Sequence, residues 1–315
     1  MATLSSRIIK KWAGGPGPGA RKLHDAARIL QLIVNGAASG CIYGLIALGF
    51  VLIYKATEMV NFAQGDVMML GGFAAFTLIA HFHLPYWVGG ILAIVITAAL
   101  GYALDALIIR RVIGQPQFAV VMLTLGLGFI FRAGAGIAWG YDSVGFETPF
   151  TNKTIDIGGL ILGEDSVSII AGTVLLCGVL YLFFSRTRVG VAMQAASQNQ
   201  LAAYYMGIPV RTIFSLIWAI SAGVACLAGI LLSPISMIDV NMGSLGIKAF
   251  AAAVIGGFGS IPGSVIGGVI VGIVEQFAGY KLPAGFQEVS SNIVLLLMLF
   301  VRPQGLFAER MGKRV

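Results

Sequence analysis

Charge is scarce in this sequence. Asp, Glu, Lys and Arg make up 10% of its 315 residues, hydrophobic residues make up 58%, and mean hydropathy is +0.92. A soluble globular domain is nearer a quarter charged, so a chain of this composition cannot hide its apolar surface in water. A transmembrane barrel would show weak alternating segments. Several runs here instead reach the roughly 20 apolar residues that a helix needs to cross a bilayer. Cysteine is scarce too: Cys41, Cys177 and Cys226 lie far apart, each inside an apolar run. They form neither a disulfide framework nor a zinc spacing. His81 and His83 stand two apart beside Pro85 with no third ligand, and are read as interfacial. No G-x-x-x-x-G-K-S/T stretch occurs, which excludes ATP hydrolysis on a phosphate loop of this chain. Gly65-Asp66 has no second span-centred Asp to share a proton with, since Asp105 lies near a span end. An intramembrane aspartyl enzyme would need that pair.

What remains is an all-α, polytopic membrane bundle of about eight elements, some broken or re-entrant. The elements expected are about 28–54, 60–80, 87–109, 118–139, 167–184, 212–232, 247–279 and 291–301. Residues 1–27 form a basic tail with GGPGPG at Gly14 to Gly19, residues 28–301 the membrane domain, and residues 302–315 a second basic tail. No small-residue cleavage site follows the first apolar run, so it is read as a retained span. The net charge of +7 comes from short flanks at Arg7 to Arg28, Arg110-Arg111, Arg186 to Arg211 and Arg302 to Arg314. This is the positive-inside pattern and not a nucleic-acid surface. Gly140 to Ser166, with Asp142, Glu147, Asp156, Glu164 and Asp165 against Lys153, is the acidic outer loop.

Tyr54 to Phe73 places Lys55, Glu58, Asn61, Gln64 and Asp66 among apolar residues. Polar groups at membrane depth face protein or a watery cavity. Five complete spans before Ser185 would put the basic tail and Arg186 to Arg211 on opposite faces, so the 60–80 element, with Gly65, Gly71 and Gly72, is expected to be re-entrant. The 247–279 element, interrupted by GGFGSIPG, is likewise broken or crosses twice. Paired broken elements point to a transport path. Lys55 and Glu58 can pair at three-residue spacing, Arg132 reads as a snorkelling residue, and Lys248 and Glu275 as boundary charges.

Ser185 to Arg211 is polar, basic and Ala-rich, and should form short helices ending in a turn at Gly207 and Pro209. Ala202-Ala203, Gly207 and Ile217 resemble the Ala-Ala-x3-Gly-x9-Ile core of the loop by which ABC importer permeases dock on their ATPases. The match departs at Leu201, where that family has Glu, and at Ala219-Ile220, where it has Leu-Pro. Gly44 to Phe73, Ala252 to Glu275 and Val301 to Phe307 further resemble permeases of branched-chain amino-acid ABC importers, in the same order along the chain.

The resemblance implies a cytoplasmic coupling helix carrying Ala202, Ala203, Gly207 and Ile208 in a multi-pass protein of the bacterial inner membrane. It implies a second homologous permease, two cytoplasmic ATPases and a periplasmic solute-binding protein as partners, with ATP bound only by those ATPases and no cofactor or metal here. Asn61, Gln64 and Asp66, with Gly257 and Gly259 at the second break, are the expected substrate path. These polar groups could equally do no more than satisfy the backbone of the break. Related permeases for urea, amides or small carboxylates are similar over the same stretches. A self-sufficient secondary transporter or channel could also use broken helices, although Asp66 and Arg132 are the chief ionisable groups available for ion coupling.

Overall fold

The computed structural model of the chain describes residues 18–112, 114–150, 154–157, 160–283 and 285–307. Most of the basic N-terminal tail, Lys153 and the basic residues after 307 lie outside the described residues. A long first helix, α1 (Pro18–Thr57), is followed by α2 (Gln64–Phe76), which runs on through a π-helical turn (Thr77–His81). Then come α3 (Tyr86–Leu107), α4 (Gln117–Trp139), an antiparallel ribbon of β1 (Thr154–Ile157) and β2 (Leu160–Gly163), and α5 (Glu164–Arg186). Two short helices, α6 (Arg188–Gln198) and α7 (Gln200–Tyr205), precede α8 (Val210–Leu232), α9 (Leu245–Gly256), α10 (Ile261–Lys281) and α11 (Phe286–Val301).

The helix starts follow from local chemistry. Pro85 and Pro116 stand at the N-caps of α3 and α4, where a missing N–H costs nothing. Thr187, Asn199 and Ser260 cap α6, α7 and α10 by accepting from the backbone N–H of Gly190, Ala202 and Gly263 at 3.0, 2.9 and 3.1 Å. Six helices, α1, α3, α4, α5, α8 and α10, are long and apolar enough to span a membrane on length and composition alone.

The axis of the bundle is α1, buried almost throughout Ala38 to Ile53. Its Gly36, Gly40 and Gly44 lie against Ile273, Gly268-Val269 and Val265 of α10 in antiparallel register. A methyl on Gly40 would stand 2.6 Å from both the Gly268 carbonyl and Val269 Cα, so only glycine lets the two backbones meet here. In lipid, where apolar side chains gain little by leaving their solvent, such small-residue seams supply much of the association.

Contacts at the helix ends sort the two faces. Gln200 of α7 donates to the Ala56 carbonyl at 3.3 Å, Arg110 donates to the Arg211 carbonyl at 3.2 Å, and the Leu306 N–H donates to Ile255 O at 2.9 Å. The ends of α1, α3, α9 and α11 therefore share a face with α6 and α7. On the other face Tyr86 meets Phe146, Ser166 meets Asn35 at 3.4 Å, and Val144 bridges to Ile238. Lys55, Arg110, Arg111, Arg186, Arg188, Arg211 and Arg302 gather on the first face and the acidic loop on the second, which makes the first cytoplasmic.

This arrangement corrects the expected topology. The 60–80 element is broken but does not turn back: it leaves Glu58 beside α6–α7 and reaches His81 on the outer face. Gln64–His81 is about 27 Å long at ~1.5 Å per residue, close to a bilayer core. The 247–279 element crosses twice, as α9 and α10. With α1 to α5, α8 and α11, the described residues make nine passes, and Arg28 stands on the outer face opposite α6–α7. Arg28 of α1 thus does not share a face with the later basic loops. The re-entry followed from assuming one face for every basic flank, and Arg28 at the start of α1 lies on the other.

Candidate functional site

The break between α1 and α2 is held by its own side chains. Asn61, buried, accepts from the Ala63 N–H at 3.1 Å and donates to Gln64 Oε1 at 3.1 Å. Gln64 donates to the Ser221 carbonyl at 3.2 Å, and the Ser221 hydroxyl lies 3.0 Å from Gly49 O and 3.2 Å from Gln64 Oε1. The Phe62 N–H donates to Thr124 Oγ1 at 3.3 Å. One buried network therefore ties α1, α2, α4 and α8 together at the point where the helix stops. Unpaired groups there would cost several kcal/mol each in lipid.

Asp66 sits in the first turn of α2, where the helix dipole favours an anion. Its carboxylate lies in a slot that Cβ atoms on Gly128 and Gly243 would fill, and Arg132 Nε donates to Oδ1 at 2.6 Å. The Asp66 side chain is 4% exposed and that of Arg132 37%. Among the described residues the guanidinium makes no other side-chain or backbone hydrogen bond. Arg132 had been read as a snorkelling residue; it is the partner of Asp66, 66 positions away in the chain.

α4 packs on α2, and its other side looks across an open cleft toward α9. The cleft has a volume of about 130 Å³ and is lined by Phe50, Phe62, Asp66, Phe129, Arg132, Gly243, Ile247 and Phe250, among others. From it, half-buried rings form a column toward the cytoplasmic face: Phe62 to Phe250 at 5.5 Å, Phe250 to Phe258 at 5.6 Å, and Phe258 to Tyr54 at 4.8 Å between centroids. Gly257 and Gly259 lie at the lower end of this column and away from Asp66. Gly257, at φ +98°, ends α9 in a conformation suited to glycine, and Gly259 O accepts from Lys55 Nζ at 3.3 Å.

On the cytoplasmic face α7 ends in a left-handed turn at Gly207, φ +80°, closed by Ile208 N–H to Ala203 O and Gly207 N–H to Tyr204 O, both at 3.0 Å. Ala203 is buried, whereas Ala202, Leu201, Tyr204, Tyr205 and Met206 are exposed. The expected short helices and glycine turn are therefore present. Sequence reasoning missed Ser221, Thr124 and the Gly49 carbonyl, which carry no pattern of their own. It also placed Lys248 and Glu275 at span boundaries; they pair inside the bundle, Nζ to Oε1 at 2.6 Å, beside Tyr43.

Residues 32–302 match the family model described as branched-chain amino acid transport system / permease component. The chain is 31% identical over 294 residues to the high-affinity branched-chain amino acid transport system permease protein BraD of Pseudomonas aeruginosa, covering 89% of this chain and 96% of that one. It is also 31% identical over 295 residues to LivH of Escherichia coli strain K12, with the same coverage of both. A fructose import permease protein, FruF of Bifidobacterium longum, is 27% identical over 249 residues, 74% of this chain and 66% of its own. With a bundle of membrane-spanning length, a polar break and a helical knuckle on the basic face, the chain belongs to the permease family of branched-chain amino acid transport systems.

Proposed function

We propose that this permease subunit passes branched-chain or other small apolar amino acids through the inner membrane, driven by two ATPase subunits that dock on its cytoplasmic face. It acts beside a second homologous permease and receives solute from a periplasmic binding protein. The observation that carries the reading is the α7 knuckle. Leu201, Tyr204, Tyr205 and Met206 stand exposed on a face otherwise marked by basic residues, directly continuous with α5 and α8 through capped turns. An exposed apolar patch outside the lipid zone is a docking surface. A rigid knuckle there can convey a partner's motion to two spans at once. The route runs along the Asp66 cleft and the ring column toward the Gly257 to Gly259 turn, with Asn61 and Gln64 holding the break open. Apolar rings suit aliphatic side chains, and solute fed by a binding protein needs little affinity from the membrane subunit.

The knuckle is tested at Gly207. Nothing stands within 4 Å of an added Cβ, so a side chain there is opposed only by the positive φ. Gly207→Val is expected to leave membrane insertion intact and to abolish amino-acid uptake in cells. Gly207→Asn, which tolerates the left-handed region, should retain most of it. Normal uptake by the Val variant removes the coupling assignment.

A further inference from the structure

The Asp66–Arg132 pair is a costly thing to build at this depth. A charge within a span is rare unless it faces a cavity or a partner, and this one is both paired and left partly open. If the pair served only to satisfy the N-terminus of α2, an Asn or Ser cap would suffice. Instead, Arg132 spends one donor, Nε, on Asp66 and keeps its two terminal amino groups at the wall of the cleft. A guanidinium has five N–H donors, and its outer fork matches a carboxylate in two parallel hydrogen bonds.

We infer that the Asp66–Arg132 cleft is a transient recognition site for a zwitterionic α-amino acid. The solute carboxylate meets the free fork of Arg132, its ammonium meets the rim of Asp66, and its aliphatic side chain enters among Phe62, Phe129 and Phe250. The inference rests on the transport reading above and assigns the residues that recognise its solute. Charge balance is the argument. Asp66 and Arg132 neutralise each other, and a zwitterion brings one charge of each sign, so both pairs are exchanged without stranding a bare charge in an apolar wall. A solute with only an anion or only a cation unbalances the site, and an uncharged urea, amide or sugar offers each partner a hydrogen bond without a compensating charge, which is the weaker exchange. Size agrees: the open cleft, about 130 Å³, has room for a branched aliphatic side chain among its apolar walls. Phe129, whose ring lies 5.9 Å from Arg132 Cζ, keeps the guanidinium plane against the wall.

The test uses the complete importer, reconstituted with its partner subunits, and a diazirine analogue of leucine. On irradiation, label is expected on the α4 peptide around Phe129 and the α9 peptide around Ile247 to Phe250, suppressed by excess leucine and unaffected by urea or by the uncharged isocaproamide. Arg132→Gln should lower that labelling at least tenfold while the assembly and its ATP hydrolysis persist. Arg132→Lys, which keeps the charge and loses the fork, should fall between. Removing Arg132 leaves the buried Asp66 carboxylate unpaired and lowers the thermal midpoint on either reading, so the discriminating readout is competition: a merely structural role would leave unchanged which solutes compete. A wild-type assembly that imports leucine but is not labelled in the cleft, or is labelled undiminished in Arg132→Gln, overturns the recognition site and leaves the transport reading standing. An assembly that imports urea or a sugar and no amino acid overturns both.

Discussion

Two places where helices face each other in this bundle are built in opposite ways. Along the α1–α10 seam, Gly36, Gly40 and Gly44 let one backbone rest directly on another, and an added methyl at each would meet backbone atoms. Across the α4–α9 cleft, Phe62, Phe129, Phe250 and the Asp66–Arg132 pair keep the helices apart. Glycine occurs on both sides, yet with different neighbours. At Gly40 an added methyl would meet backbone, and at Gly243 it would meet the Asp66 carboxylate and, at 3.2 Å, Arg132 Nη2. The seam spends its glycines on closeness and the cleft spends them on room for a charged pair. Substitutions on the two sides should therefore separate stability from transport.

The largest expected effect is on the solid side. Lys248 and Glu275 pair at 2.6 Å with side chains 20% and 7% exposed, tying α9 to α10. Lys248→Met leaves a buried carboxylate uncompensated and should cost about 3–5 kcal/mol, read as a large drop in the thermal midpoint of the purified subunit. Adding Glu275→Leu should recover most of that loss, since an apolar pair of similar volume replaces an ion pair nearly neutrally. A double variant as unstable as the single one would show that the pair matters through shape. Next comes a matched pair. Gly40→Ala forces backbones apart and should cost about 1–3 kcal/mol with uptake falling only as far as protein yield falls. Gly243→Ala pushes a methyl against the buried Asp66 carboxylate, so it should lower the midpoint too, and should also depress leucine uptake in the assembled importer well beyond the fall in protein yield. Uptake that follows yield in both variants would erase the distinction between seam and cleft.

Hydropathy alone placed α3, α4, α5 and α8 to within a few residues, because each is a long apolar run closed by Pro, Gly or charge. The α7 knuckle was legible as well, since Asn199, Gly207 and Pro209 are local signals that need no tertiary context. What could not be read was pairing. Arg132 and Asp66 are each visible as charges in apolar runs, but nothing local in the sequence says that α4 and α2 lie side by side. Asn61 and Gln64 look unsatisfied until Ser221, from a helix far along the chain, supplies the missing partner. The re-entrant expectation failed for another reason. Counting basic flanks forced a turn, because the count put the start of α1 on the face of α6 and α7, and it lies on the other. The β1–β2 ribbon was lost inside a loop judged by its charge, as four-residue strands are too short to show a period.

The smallest expected effect tests which face of α4 is bare. Gly126 and Gly134 lie on the exposed side of that helix, with nothing within 4 Å of an added Cβ at either position. If lipid covers them, Ala at each position should stabilise by about 0.5–1 kcal/mol, because glycine in a helix interior carries that entropic cost with no packing gain. Uptake should then be unchanged. The α1–α10 seam shows what glycine does when a second helix does rest on it, and a partner subunit seated on α4 in that manner would reverse the sign. Raised midpoints for the isolated subunit, with unaltered recovery of the full assembly by size-exclusion chromatography, place lipid on this face. A raised midpoint with loss of the paired permease would instead make Gly126 and Gly134 a seam between two subunits, built like the one inside a single chain.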